Sequence, residues 1–288
     1  MNETLTALTD FFALPLQSPR IQRALLTAVA AGLVCAVLSC WITLMGWSLM
    51  ADAISHAVLP GVVLSYMFGL PITLGALIFG TGSVALIGTV NRTSRIKEDA
   101  AIGVVFTTMF ALGLVLNSRM PTRTDLEDIL FGNILDVSNT DTAQVLTLTA
   151  LALTLLWYKH RDLTLYAFDP VHAHTLGLHP RRLEALLLGL LALTVVVALQ
   201  AVGIILVVAM VIIPGTTARL LTDRFETMLA LASAIATTAA LLGVLTSFHL
   251  NTPTGATIVL TQSGAFTLAY LLSPRHSPLT RPRQRTRT

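Results

Sequence analysis

LEALLLGLLALTVVVALQAVGIILVVAMVIIPGTTARLL, residues 183–221, is a nearly unbroken apolar run. It is about twice the length that one membrane-crossing helix needs at about 1.5 Å of rise per residue. Only Glu184 near its start and Arg219 near its end carry charge. The run reads as two helices in hydrocarbon, split near Gln200–Gly203, with Pro214-Gly215 kinking the second. Composition agrees with that reading. Of 288 residues, 54% are apolar and 11% charged, whereas charged residues make up roughly a quarter of a soluble domain. Mean hydropathy is +0.77. The fold class is therefore all-α: a polytopic transmembrane helical bundle, in one membrane domain with no room for a soluble one.

Further spans lie on both sides of that run, at about 24–45, 49–68, 71–90, 100–117 and 142–158 before it and about 228–248 and 256–272 after it. Together they make nine spans, or eight if one segment is re-entrant. Basic residues cluster in 91–97, 159–161, 181–182 and the tail 275–287, and such clusters favour the cytoplasmic side. Placing them there gives a consistent alternation with an external N-terminus. The domain plan is a short lead-in over 1–20 broken by Pro15 and Pro19, a transmembrane domain over 21–273, and a basic cytoplasmic tail over 274–288. The tail follows an apolar span and reads as a topology anchor rather than a nucleic-acid patch. A cleaved signal peptide is not expected, because no cation precedes Arg20. Cys35 and Cys40 share the first span and indicate no disulfide framework.

One polar feature stands out from this background. Met50 to Gly61, MADAISHAVLPG, sets a carboxylate and an imidazole four residues apart inside an apolar segment. On a helix, positions i and i+4 share a face, so Asp52 and His56 point at one spot with Ser55 beside them. Pro60 has no N–H to give the His56 carbonyl, and the second span is expected to be interrupted at Pro60-Gly61. Ionisable residues at membrane depth are costly and mark substrate paths. Carboxylate with imidazole suits manganese, zinc or ferrous iron better than soft copper(I). Two ligands do not complete a coordination shell, and the same pair from a second copy across a two-fold axis would supply more. The competing structural reading is a buried His–Asp pair that holds helices together.

Other patterns are weaker. Gly80-Thr81-Gly82-Ser83-Val84-Ala85 fits G-x-G-x-x-A, but inside a span it reads as small residues for close helix packing. No G-x-x-x-x-G-K-[ST] occurs, so the chain has no P-loop for ATP, and no H-E-x-x-H occurs either. His172, His174 and His179 lie in a basic link and read as a solvated surface. His249 closes a span on the external side, as a secondary metal contact or gate, or simply an interface histidine. Asp125, Glu127 and Asp128 are external acids suited to cation attraction or plain solvation. They precede an apolar island, Leu130-Phe131-Gly132-Asn133-Ile134-Leu135, that reads as a short helix at the membrane face.

These residues resemble the membrane subunit of bacterial ATP-binding-cassette importers for manganese, zinc and iron, which work with a cluster A-I binding protein. The resemblance is carried by 50–61, by KEDAAIG at 97–103 and LFGNIL at 130–135, and by Phe168-Asp169-Pro170 with Leu176-Gly177-Leu178. It continues through VGIILVV at 202–208 to Pro214 and Ala218-Arg219, and ends with Pro253-Thr254-Gly255. The usual glycine before the aspartate is Ala51 here. The resemblance implies a permease subunit that is not itself an enzyme, seated on two ATPase subunits as a homodimer or with a paralogous permease. A periplasmic or lipid-anchored metal-binding protein would dock outside. Asp52 and His56 would line the translocation site for a transported metal ion, with no permanently bound cofactor. The link 159–182 would hold the cytoplasmic coupling helix at Phe168–Leu178. The Leu130–Leu135 island, with Leu130 and Phe131 and the acids Glu127 and Asp128, would lie near the external gate. Membrane lipids are expected partners and nucleic acid is not. Two rival readings are a proton-coupled secondary metal transporter, with the pair as proton relay, and a scaffold with no transport.

Overall fold

The computed structural model describes residues 17–119, 134 and 137–273, and among these it is helical with no strand. The first span is α1, Pro19–Met45, opened by Pro19 at a first-turn position and closed by Gly46 at φ +71°. Pro19 thus starts the helix instead of breaking the chain before it, since a first-turn N–H has no helical partner to lose. The second span is two helices, α2 at Ser48–Ala57 and α3 at Leu59–Phe68, and Gly69 at φ +64° ends it. The discontinuity falls at Val58, two residues before Pro60, because the proline occupies the first turn of the new helix.

α4 spans Ile72–Thr93 and α5 Glu98–Ser118. α6, Asn139–Phe168, begins with a capping box in which Ser138 and Asp141 satisfy each other's backbone N–H groups. It runs ten residues past the 142–158 span into the basic link. Lys159 and Asp162 pair at 2.9 Å on this extension, and no glycine or proline interrupts it. A six-residue α7 (Pro170–Thr175) follows, and then α8 (Pro180–Val202), α9 (Ile204–Leu221), α10 (Phe225–Leu250) and α11 (Thr254–Leu272). Gly203, at φ +78°, alone separates α8 from α9, within the expected split of the long run.

Among the described residues, seven helical segments are long and apolar enough to cross a membrane: α1, α2 with α3, α4, α5, α8, α10 and α11. The threonine-rich α6 and the shorter α9 pack in the same bundle. α1 is the central post, against α6, α8, α9 and α10. α4 and α5 lie outside α3, and α5 also covers α2.

Lipid tails are as apolar as leucine, so close van der Waals contact rather than hydrophobic burial holds such helices together. Small residues provide it at the tightest crossings. A Cβ on Gly61 would strike the Gly75 carbonyl across the α3–α4 crossing, and one on Gly215 would come within 2.6 Å of the Ser39 carbonyl on α1. Gly243 meets the Ile258 backbone at a similar distance between α10 and α11. Gly80 faces Val58 and Ala192, while Gly82 faces open space, so only the first glycine of the 80–85 pattern serves close packing. Cys35 and Cys40 are buried free thiols in α1.

Candidate metal site and coupling helix

α2 brings Asp52 and His56 together as their spacing dictates, with Nε2 of His56 3.4 Å from an Asp52 carboxylate oxygen. The Asp52 side chain is 41% exposed and that of His56 18%. Among the described residues no lysine or arginine pairs with Asp52. The His56 ring sits against Phe106 and Phe110 of α5, at centroid distances of 5.2 and 5.5 Å. Its Nδ1 is buried without a hydrogen-bond partner. The other ring nitrogen faces the carboxylate.

Ser55 is fully buried, and its hydroxyl donates to the Asp52 backbone carbonyl at 2.7 Å. It braces the helix beneath the pair. The His56 carbonyl, deprived of an N–H by Pro60, accepts the N–H of Val58 at the discontinuity. No cluster of three or more His, Cys, Asp or Glu side chains occurs among the described residues. The pair therefore offers one oxygen and one nitrogen ligand and leaves most of a shell open.

His249 lies on the last turn of α10, beside Phe248 and just before the turn into α11. Its helix packs on α1, α9 and α11. Glu127, Asp128, Leu130 and Phe131 lie outside the described residues, as do Asp125 and the tail 274–288. Of the 130–135 island, Ile134 is described, and its side chain is buried in the core.

The second group of expected residues surrounds α7. Asp169 caps it, its carboxylate accepting the N–H groups of Val171 and His172 at 3.0 and 2.9 Å, and Pro170 follows at the first position. Gly177, at φ +81°, turns the chain out of the helix, and the Leu178 N–H returns to the Ala173 carbonyl at 3.1 Å. Ala173 is buried while Val171, Leu176 and Phe168 are exposed. This small unit thus has a fixed backbone and a bare apolar face. His172, His174 and His179 are exposed, as a solvated link predicts.

Two features were missed from sequence. The Phe106/Phe110 wall left only an i, i+4 aromatic pair as its signal. The other is an aromatic series in which Phe168 meets Phe225 edge-on at 6.3 Å and Phe225 meets buried Trp41 of α1 at 5.0 Å. Those three residues are far apart in the chain and leave no local pattern.

A helical bundle with seven membrane-length apolar segments among the described residues, an acid–imidazole pair inside one of them and a capped short helix with a bare apolar face fits the class of membrane permeases. The chain belongs to the ABC 3 transport family, whose pattern it matches over residues 17–273. It is 46% identical to the manganese transport system membrane protein MntB of a Synechocystis species, over 92% of this chain and 87% of that one. It is 45% identical to the chelated iron transport system membrane protein YfeD of Yersinia pestis, over 94% of this chain and 90% of that one. Its fold is similar to that in a solved structure of PsaBC from Streptococcus pneumoniae in complex with Fab. The TM-score is 0.87 at 38% identity, covering 93% of this chain and 97% of the other.

Proposed function

We propose that this chain is the inner-membrane permease subunit of an ATP-binding-cassette importer, and that Asp52 and His56 pass manganese, iron or zinc inward. The observation that carries the site is a carboxylate and an imidazole one turn apart in an apolar span, with no Lys or Arg partner among the described residues. A structural ion pair at this depth needs a counter-charge, and neutral imidazole does not provide one. A divalent cation does. Asp52 contributes the hard oxygen and His56 the borderline nitrogen, a set that accepts all three metals. A second permease copy, or a paralogue, would bring its own ligands across a two-fold axis. Phe106 and Phe110 hold the imidazole plane and keep bulk water from one side of it. Binding should be moderate, because a site that holds too tightly does not release.

The permease makes and breaks no bond, and ATP hydrolysis belongs to partner subunits. Phe168, Val171 and Leu176 offer an apolar face of the kind that seats in a groove on another protein. Asp169, Pro170, Gly177 and Leu178 fix its geometry. Contact of Phe168 with Phe225, and of Phe225 with Trp41, gives motion at this face a packed route to α1. A separate metal-binding protein would deliver the ion at the opposite face, beside the acids Glu127 and Asp128, Leu130 and Phe131, and His249. Here 1–20 serves as lead-in, 21–273 as the permease domain, 159–182 as the coupling segment and 274–288 as a cytoplasmic anchor.

The test is radiometal uptake into proteoliposomes holding the permease with its ATPase and binding protein. Uptake should require ATP, and Asp52→Ala and His56→Ala should each abolish it while the complex still assembles. Uptake retained by either variant makes the pair structural. Uptake driven by a proton gradient without nucleotide would establish the relay reading instead.

A further inference from the structure

Away from the metal pair, a groove of about 400 Å³ runs between α4 and α8, from Thr81 in mid-span to Arg92 and Arg181 at its mouth. Thr81 to Arg92 is eleven residues of helix, about 16 Å at about 1.5 Å per residue. That is close to one leaflet, half of the about 30 Å hydrocarbon core. The groove exists because small residues line it. Gly88 and Gly189 have open space where a Cβ would stand, and Ala85 and Ala185 add only methyl groups.

The mouth is charged where the trough is apolar. Arg92 closes α4 and Arg181 opens α8, both exposed, and Glu184 also lines the groove. Among the described residues no ion pair joins Glu184 to either arginine. The two guanidinium groups are therefore available as forked donors for a phosphate. Arg95, Lys97 and Arg182 follow within a few residues in sequence and reinforce the sign. By the same basic-side rule that orients the bundle, this end meets the inner leaflet.

We propose that the α4–α8 groove binds one anionic phospholipid of the inner leaflet, its phosphate held by Arg92 and Arg181 and an acyl chain laid along Gly88 and Gly189 toward Thr81. Length, polarity and position coincide in this one occupant. A soluble anion would use the mouth and leave the trough unfilled, and a neutral lipid would fill the trough without using the arginines. Basic pockets between membrane helices on the cytoplasmic side suit such headgroups. The site fixes α4 to α8, two helices that also pack on α2, without touching Asp52 or His56.

The experiment measures retained lipid on the assembled complex, by native mass spectrometry after exchange from phosphatidylcholine nanodiscs doped with phosphatidylglycerol. The wild-type complex should keep phosphatidylglycerol in preference to phosphatidylcholine. Arg92→Gln and Arg181→Gln should each lower that affinity about fivefold, and the double variant about thirtyfold. Gly88→Leu, which fills the trough and leaves both arginines in place, should abolish retention. Equal retention by the wild type and the double variant overturns the site. So does a Gly88→Leu complex that changes its subunit stoichiometry while keeping its lipid, because the groove is then a contact between subunits. Should the double variant not assemble, the single variants decide by the same fivefold criterion.

Discussion

Two spans of this chain contain a Pro-Gly step, Pro60-Gly61 in the second and Pro214-Gly215 in α9, and the structure treats them differently. At Pro60 the span divides into α2 and α3, with Asp52 and His56 on the turns just before the division. At Pro214 the helix continues through the proline. Local sequence and surroundings account for the difference. Gly61 is followed by Val62, Val63 and Leu64, which have no hydroxyl to offer. Gly215 is followed by Thr216 and Thr217, whose hydroxyls donate to the carbonyls of Ile212 and Ile213. The carbonyl that Pro214 deprives of an N–H is that of Met210; the threonine hydroxyls bond carbonyls further along and brace the turn around the proline, and the helices packed on α9 do the rest. α9 has α1, α10 and α11 as neighbours. One dipeptide thus gives a division beside the metal pair and, elsewhere, a continuous packed helix.

The glycines test that contrast most severely. Both stand where a Cβ has no room, Gly61 against Gly75 and Gly215 against Ser39. Gly61→Ala and Gly215→Ala should each destabilise the permease by about 1–3 kcal/mol, the usual range for overpacking, read as a lower unfolding midpoint in detergent. Metal uptake should separate them. Pushing α3 away from α4 shifts the adjoining end of α2, which carries His56, so Gly61→Ala should lose uptake beyond its loss of assembled protein. Gly215→Ala should lose uptake only in proportion. Equal specific uptake in the two variants would remove the distinction.

Replacing the prolines asks a narrower question. Pro60→Ala returns an N–H to the His56 carbonyl and favours one unbroken helix over 48–68. Because Pro60 already sits in a first turn, stability should change by no more than about 1 kcal/mol, while uptake falls with the realigned pair. Pro214→Ala should leave specific uptake unchanged. A Pro60→Ala permease that transports like the wild type would show that the division is incidental to the site.

Much of this was legible in the residues themselves. Hydrocarbon imposes length and apolarity on each span, so the split of 183–221 at Gly203 and the one-turn spacing of Asp52 and His56 could be read directly. What escaped depends on non-local packing or on missing stop signals. That α5 lies over α2, setting Phe106 and Phe110 against His56, follows from tertiary contacts. The extension of α6 to Phe168 escaped because Lys159 to Asp162 look like a polar link, although nothing among them ends a helix. The division was expected at Pro60-Gly61 but falls at Val58, since a proline starts a helix more readily than it ends one.

The smallest expected effect isolates the hydroxyls that distinguish the two Pro-Gly steps. Thr217 is buried, and its hydroxyl reaches the Ile213 carbonyl at 2.7 Å, one residue before the proline. Valine keeps its shape and removes only that bond. Interhelical and backbone hydrogen bonds in membranes are worth about 0.6 kcal/mol on average, because the unfolded chain in lipid also finds partners. Thr217→Val should therefore lower stability by about that amount and leave specific uptake alone. A loss several times larger would mean that the hydroxyls, more than the helices packed around α9, hold it together across Pro214. No measurable loss would assign that task to the neighbouring helices α1, α10 and α11.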